Sequence, residues 1–290
     1  MKVKMSFYRR KRLTGYVFLS PWLLASVFLL FFPILFSLLL SFSTPVNLNK
    51  MQLDFVGLEN YIKAFVSDVD FVFSFVTVVR ETLTNLPMIL VFSLLIAIML
   101  SREIKGRGFF RSAFFLPVLL GTGFVMRQIL GQGVDQSAME VARGILLPPQ
   151  VQAYMGPEVS GVIGEFLGRI TVVMWKSGVQ IVIFLAGIQK IPLSLYESAR
   201  VDSATEWEMF WKITLPMLSP IILLNVVYTI LASFSEDGPM MDYIRYIAFT
   251  QARPNPQYAA AMGWLYFAFV LLLVGLVFLI MKPFIKKSTD

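Results

Sequence analysis

Residues 196–220 read YESARVDSATEWEMFWKITLPMLSP. The first half is polar and charged. The second half opens the run 213–235, which is 23 residues without a charge. Pro192 stands where a helix can begin, because the N–H it lacks would be unpaired in a first turn anyway. Ser203 followed by Glu206, or Thr205 followed by Glu208, has the spacing of a capping box. The stretch predicts two short helices meeting at a turn near residues 202–205, on the flank of an apolar span.

The rest of the chain is built from such runs. Of 290 residues, 57% are apolar and 15% are charged, where a soluble domain carries about 25% charge. Mean hydropathy is +0.72. Charge is absent from 13–49, 82–101, 213–235 and 254–281. About 20 apolar residues cross the roughly 30 Å of bilayer hydrocarbon. The runs do not alternate as barrel strands must. The sequence therefore predicts an all-α integral membrane protein. It has a basic tail at 1–13 and one transmembrane domain at 14–290. Six spans are expected near 14–42, 73–100, 109–131, 161–188, 214–235 and 258–281, with a polar segment at 192–213. The apolar run after the basic tail is too long for a signal-peptide core and predicts an uncleaved first span. Between spans, residues 132–160 and 236–258 carry Gly and Pro turn signals.

Charge sets the orientation. Sixteen basic residues fall in the two termini and in the 102–111 and 190–212 segments, and five in the other loops. Cytoplasmic loops collect Lys and Arg. The count places both termini and the 192–213 segment in the cytoplasm, and it accounts for the net charge of +7 without nucleic acid.

Cysteine and histidine are both absent. Thiolate and imidazole metal sites, disulfides and His-based acid–base catalysis are excluded. No G-x-x-x-x-G-K-[ST] loop and no G-x-S-x-G elbow occurs, so the chain carries no Walker loop for ATP and no sign of an enzyme.

Glu197, Ala199, Asp202, Ala204, Phe210, Ile213, Leu215, Pro216 and Pro220 match a known pattern, E-A-A-x-x-D-G-A…F…I-x-L-P…P. On these residues the chain resembles the permease subunits of bacterial ABC importers, in their carbohydrate-uptake branch. FVGLENY at 55–61 and FFRSAFFLPVL at 109–119 are similar to other stretches of that branch. Two positions depart, Ser198 for the second Ala and Ser203 for the Gly. Glycine enters left-handed turn geometry freely and serine at a cost of roughly 1 kcal/mol, so a turn built differently is expected here.

The resemblance implies a type I importer permease fold in the bacterial inner membrane. It implies a homologous second permease, two ATPase subunits holding ATP and Mg, and an extracytoplasmic solute-binding protein. It also implies that Glu197, Ser198, Ala199, Asp202, Ser203 and Ala204 lie at the ATPase contact. The residues themselves allow local capping and solvation as the rival account of the acids.

Charge at depth in a membrane costs about 2.5–3.5 kcal/mol and marks cavities or partners. Lys176 is the cation expected to line a pathway, with an interhelical ion pair as its rival. Arg80 is a second candidate, against pairing with Glu81 or reaching to the interface. Arg127 reads as snorkelling. Trp175, Gln180, Asn225 and Tyr228 are polar or amphipathic groups within spans four and five. They suit a sugar pathway, or else helix packing. An ion-coupled secondary transporter is the alternative. It would show inverted repeats and buried acids, and the sequence shows no clear repeat.

Overall fold

The computed structural model describes residues 7–47, 52–101, 108, 149–235 and 238–289. The expected span 109–131, Arg127 and the 109–119 motif lie outside the described residues.

Helices α1 (Phe7–Ser26) and α2 (Phe32–Ser41) are joined through a π-helical turn at Val27–Phe31. A hairpin follows, β1 (Ser43–Asn47) against β2 (Gln52–Phe55), antiparallel with Ser43 opposite Phe55. Next come α3 (Glu59–Val66), α4 (Val69–Ser101), α5 (Pro149–Lys176) and α6 (Gly178–Ile188). The polar segment holds α7 (Leu193–Val201) and α8 (Glu206–Met209). A second π turn at Phe210–Thr214 leads into α9 (Leu215–Met217) and α10 (Ser219–Ser235). The chain closes with α11 (Pro239–Arg245), a third π turn at Tyr246–Thr250, and α12 (Pro256–Thr289).

Among the described residues, three helical stretches are long and apolar enough to cross a bilayer: Gly15–Ser41, Val69–Ser101 and Pro256–Ile285. Two further pairs, α6 with α7 and the 206–217 stretch with α10, are each bent by 65° and bring the number to five if each is one span. The fourth expected span, 161–188, is divided between α5 and α6 at Ser177. The Ser177 hydroxyl bonds the Val173 carbonyl there. Helix also begins earlier than expected, at Pro149, with an interruption at Gly156 (φ +75°). Gly156 precedes Pro157, and a residue before proline is pushed off helical geometry. The expected loop 236–258 contains α11.

The chain divides into two compact units, Met1–Phe75 with Gly238–Phe269, and Val76–Asp237 with Val270–Asp290. In the first, four residues of FVGLENY have a structural task. Val56 N–H donates to Phe42 O at 2.8 Å. Gly57 turns the chain at φ +60°, a geometry that favours glycine. Buried Asn60 donates to the carbonyls of Ser41 and Ser43 at 3.0 and 2.9 Å, covering the end of α2. Tyr61 OH pairs with Ser41 Oγ at 2.6 Å. Orphan carbonyls at a helix end need such partners.

The second unit packs α6 with α10 and part of α4. Ala97, Leu100, Ile181, Phe184 and Leu185 form its apolar cluster. Between membrane helices, close van der Waals contact takes the place of water exclusion as the driving force. Gly187 shows how close. A Cβ there would lie 2.8 Å from Ile221 Cγ1 and 3.0 Å from Leu218 Cδ2. Ile is stiff about χ1, so its Cγ1 does not yield cheaply.

Candidate functional site

The polar segment folds as its sequence predicts, two short helices about a turn. Pro192 precedes α7 in extended geometry, φ −59° and ψ 130°. At the other end Ser203 takes φ +59°, the one positive φ outside glycine among the described residues. Ser203 N–H donates to Arg200 O at 3.0 Å and Ala204 N–H to Ala199 O at 2.9 Å. This pair of bonds is the Schellman motif, which closes a helix through a left-handed residue. The expectation of a differently built turn is thus corrected. The geometry is the one glycine would supply, and serine is held in it by these two bonds.

Of the two caps the sequence allows, the structure forms the later one. Thr205 N–H donates to Glu208 Oε2 at 3.0 Å, and Glu208 N–H donates to Thr205 Oγ1 at 3.3 Å. Ser203 cannot serve, since its left-handed backbone belongs to the end of α7. Glu208 also accepts from Lys212 Nζ at 3.3 Å. The backbone bond from Thr205, then its hydroxyl and Lys212, hold the Glu208 carboxyl below the usual range. Arg200 reaches Glu206 at 3.4 Å across the turn. Tyr196 OH meets Thr214 Oγ1 at 2.8 Å, tying α7 to the foot of the α9–α10 arm.

The predicted contact residues are presented outward. Glu197, Ser198, Asp202 and Ser203 are exposed, and Ala199 and Ala204 are half-buried. Sequence reasoning missed the apolar part of this face. Val201 is 84% exposed and Trp207 is 69% exposed. Leu193, also exposed, stands with Glu197 and Val201 at i, i+4, i+8 on α7, one stripe of the helix. That spacing was the available signal. Exposed apolar side chains interleaved with charges form a face that a protein partner can cover.

The pathway candidates separate into two kinds. Gln180 (2% exposed) and Asn225 (0%) come together inside the second unit. Gln180 Nε2 donates to Thr229 Oγ1 at 3.0 Å, and Thr229 Oγ1 donates to Asn225 O at 2.8 Å. Thr229 was missed, since threonine within an apolar run carries no pattern of its own. Gln180 Oε1 and both amide atoms of Asn225 are buried without a hydrogen-bond partner among the described residues. Tyr228 and Arg80 are exposed on α10 and α4. Lys176 ends α5 half-buried. Trp175 precedes it on the same helix, and its side chain lies outside the described residues. Among the described residues, no three acids converge as metal ligands would.

Comparison with known proteins adds the following. Residues 165–288 match the family described as binding-protein-dependent transport system inner membrane component. The chain is 30% identical over 292 residues to the probable ABC transporter permease protein YesP of Bacillus subtilis (strain 168), spanning 94% of this chain and 90% of that one. It is 30% identical over 233 residues to the arabinooligosaccharides transport system permease protein AraP of the same strain, spanning 79% and 71%. Its fold is similar to a chain of the bacterial alginate ABC transporter, solved in complex with an alginate pentasaccharide-bound periplasmic protein. There the TM-score is 0.63 at 20% identity, over 96% of each chain.

Proposed function

Because the chain belongs to the ABC transporter permease family, we propose that it is a membrane subunit of an ATP-driven importer for a sugar, oligosaccharide or polysaccharide. It works in the bacterial cytoplasmic membrane. Its partners are a second, homologous permease, two ATPase subunits that hold ATP and Mg, and an extracytoplasmic solute-binding protein. The saccharide class is carried by relatives such as the arabinooligosaccharide permease.

The observation that carries the coupling role is the outward stripe Leu193–Glu197–Val201 beside exposed Trp207, on a helix pair capped at both sides of its turn. A transporter can be driven by a partner only if the two states differ in contact with it. This segment offers apolar anchors, an acid and a rigid turn in one place. The Tyr196–Thr214 bond and the 65° bend into α10 give movement of α7 a direct route to a span.

The Gln180–Thr229–Asn225 group is the part of the pathway that this reading places inside the second unit. Unpaired amides in hydrocarbon cost several kcal/mol each, and the hydroxyls of a passing sugar or of water in a channel would pair with them. Lys176, Trp175, Tyr228 and Arg80 are assigned to the same route.

Purification of the tagged chain from its own membranes, beside Glu197→Arg, tests the reading. Wild type should bring an ATPase and a second permease, and the variant should lose the ATPase. A chain that comes alone in both would favour ion-coupled transport, which a proton ionophore would abolish while ATP persists.

A further inference from the structure

Asp68 lies between α3 and α4 and caps α4, accepting from Phe71 N–H at 2.9 Å. A cap needs one oxygen. This carboxylate also accepts the Tyr243 hydroxyl, 2.8 Å from Oδ1 and 2.9 Å from Oδ2, and the Tyr258 hydroxyl at 2.6 Å. Both tyrosines are more than 170 residues away, with separations of 175 and 190. The 2.6 Å contact is in the range of a charge-assisted O–H···O⁻ bond, about twice the strength of a neutral one. Lys63 Nζ stands 4.6 Å from the centre of the Tyr258 ring and adds a compensating charge.

The apolar packing of this unit does not depend on that carboxylate. Phe65, Phe71, Phe75 and Phe269 make their own edge and stacked contacts. Tyr243 is different, because it lies on α11, a helix of seven residues. Its hydroxyl is a polar tie between that helix and the α3–α4 corner. Beside the tie is an open cleft of about 370 Å³, lined by Lys63, Asp68, Asp70, Gln251, Asn255 and Tyr258. The carboxylate that holds α11 therefore borders open space as well. Burial first, and then the bond to Asp68, push the Tyr243 pKa well above 10. The hydroxyl remains a donor at any physiological pH.

We propose that Asp68 is a positioning residue for import. It clasps Tyr243 and Tyr258 so that the 239–255 segment holds one stance on the outer face, where a loaded binding protein must meet this chain. The inference rests on the importer reading and on the charge-derived orientation that puts this segment outside.

The test uses the complete transporter in vesicles with its own binding protein, comparing wild type, Asp68→Ala, Asp68→Asn and Tyr243→Phe. ATPase rate is titrated against loaded binding protein, and amide hydrogen exchange is followed over 239–250. Loss of charged hydrogen bonds is expected to raise the half-saturating concentration about tenfold in Asp68→Ala. Tyr243→Phe, which removes one hydroxyl at constant volume, should raise it about threefold. The saturated rate should hold within about twofold, whereas a merely structural lesion lowers that rate through loss of intact complex. Exchange over 239–250 should accelerate in both variants, and Asp68→Asn should fall between wild type and Asp68→Ala. Titrations of all variants superimposed on a responsive wild type would overturn the proposal. A fall in saturated rate at unchanged half-saturation would overturn it as well. If Asp68→Ala does not assemble, Tyr243→Phe decides by the same two readings. A wild-type complex that does not respond to its binding protein at all would overturn the importer reading itself.

Discussion

Replacing Ser203 by glycine should tighten the turn between α7 and α8. Ser203 has φ +59°. A left-handed conformation costs an L-residue about 1–2 kcal/mol. Glycine removes that strain but loses about 0.5–1 kcal/mol more backbone entropy on ordering. The balance favours Ser203→Gly by about 0.5–1 kcal/mol, which is roughly a two- to fivefold change in a local opening equilibrium. The natural reporter is the Ala204 amide, bonded to Ala199 O at 2.9 Å. That bond must break when the turn opens. Amide hydrogen exchange of the solubilised complex should show Ala204 protected about two- to fivefold more in Ser203→Gly. Position 203 itself is a poor reporter, because its intrinsic exchange rate changes with the residue. Ser203→Val should shift Ala204 the opposite way, since a branched side chain is disfavoured further in this region. Unchanged or faster exchange at Ala204 in Ser203→Gly would refute the strain argument.

Two other perturbations follow from the same structure. Asn225→Leu removes two unpartnered buried amide atoms. It should raise thermal stability in detergent, by about 1–3 kcal/mol if the full desolvation cost is recovered, while lowering saccharide uptake; stabilised protein with undiminished uptake would remove Asn225 from the pathway. The Glu208 carboxyl is held below its usual range by the Thr205 cap. A depressed acid contributes stability that is complete above its unfolded pKa and lost as pH falls through the folded one. The protection of α8 amides in wild type relative to Glu208→Gln should therefore be constant above about pH 4.5 and shrink below it.

How far could these features be read in advance? The membrane class was plain from the charge-free runs, because a bilayer demands length and apolarity of each span, whatever its neighbours. The helix–turn–helix of 192–213 was equally plain, because caps and prolines act within four residues. Which capping box forms was open, and it depended on Ser203 being committed to the end of α7. The division of span four at Ser177 was hidden, because apolar residues predominate on both sides of the break in spite of Glu165, Arg169 and Lys176. Trp207 and Val201 were passed over because exposure is not a property of residue type.

The sequence by itself determined that this chain belongs in a membrane and that its polar segment forms two short helices about a turn. These follow from local interactions and from partition between water and lipid, and both act on short stretches of chain. Only the tertiary structure decided that Asp68 holds Tyr243 and Tyr258, that Gln180 and Asn225 share one buried site through Thr229, and that Gly187 lets α6 approach α10. Apart from the one-turn Thr229–Asn225 bond, those pairings join residues 34 to 190 positions apart. Hydrogen bonds and packing reach only a few ångströms, so no rule of spacing connects such residues until the helices have been brought together.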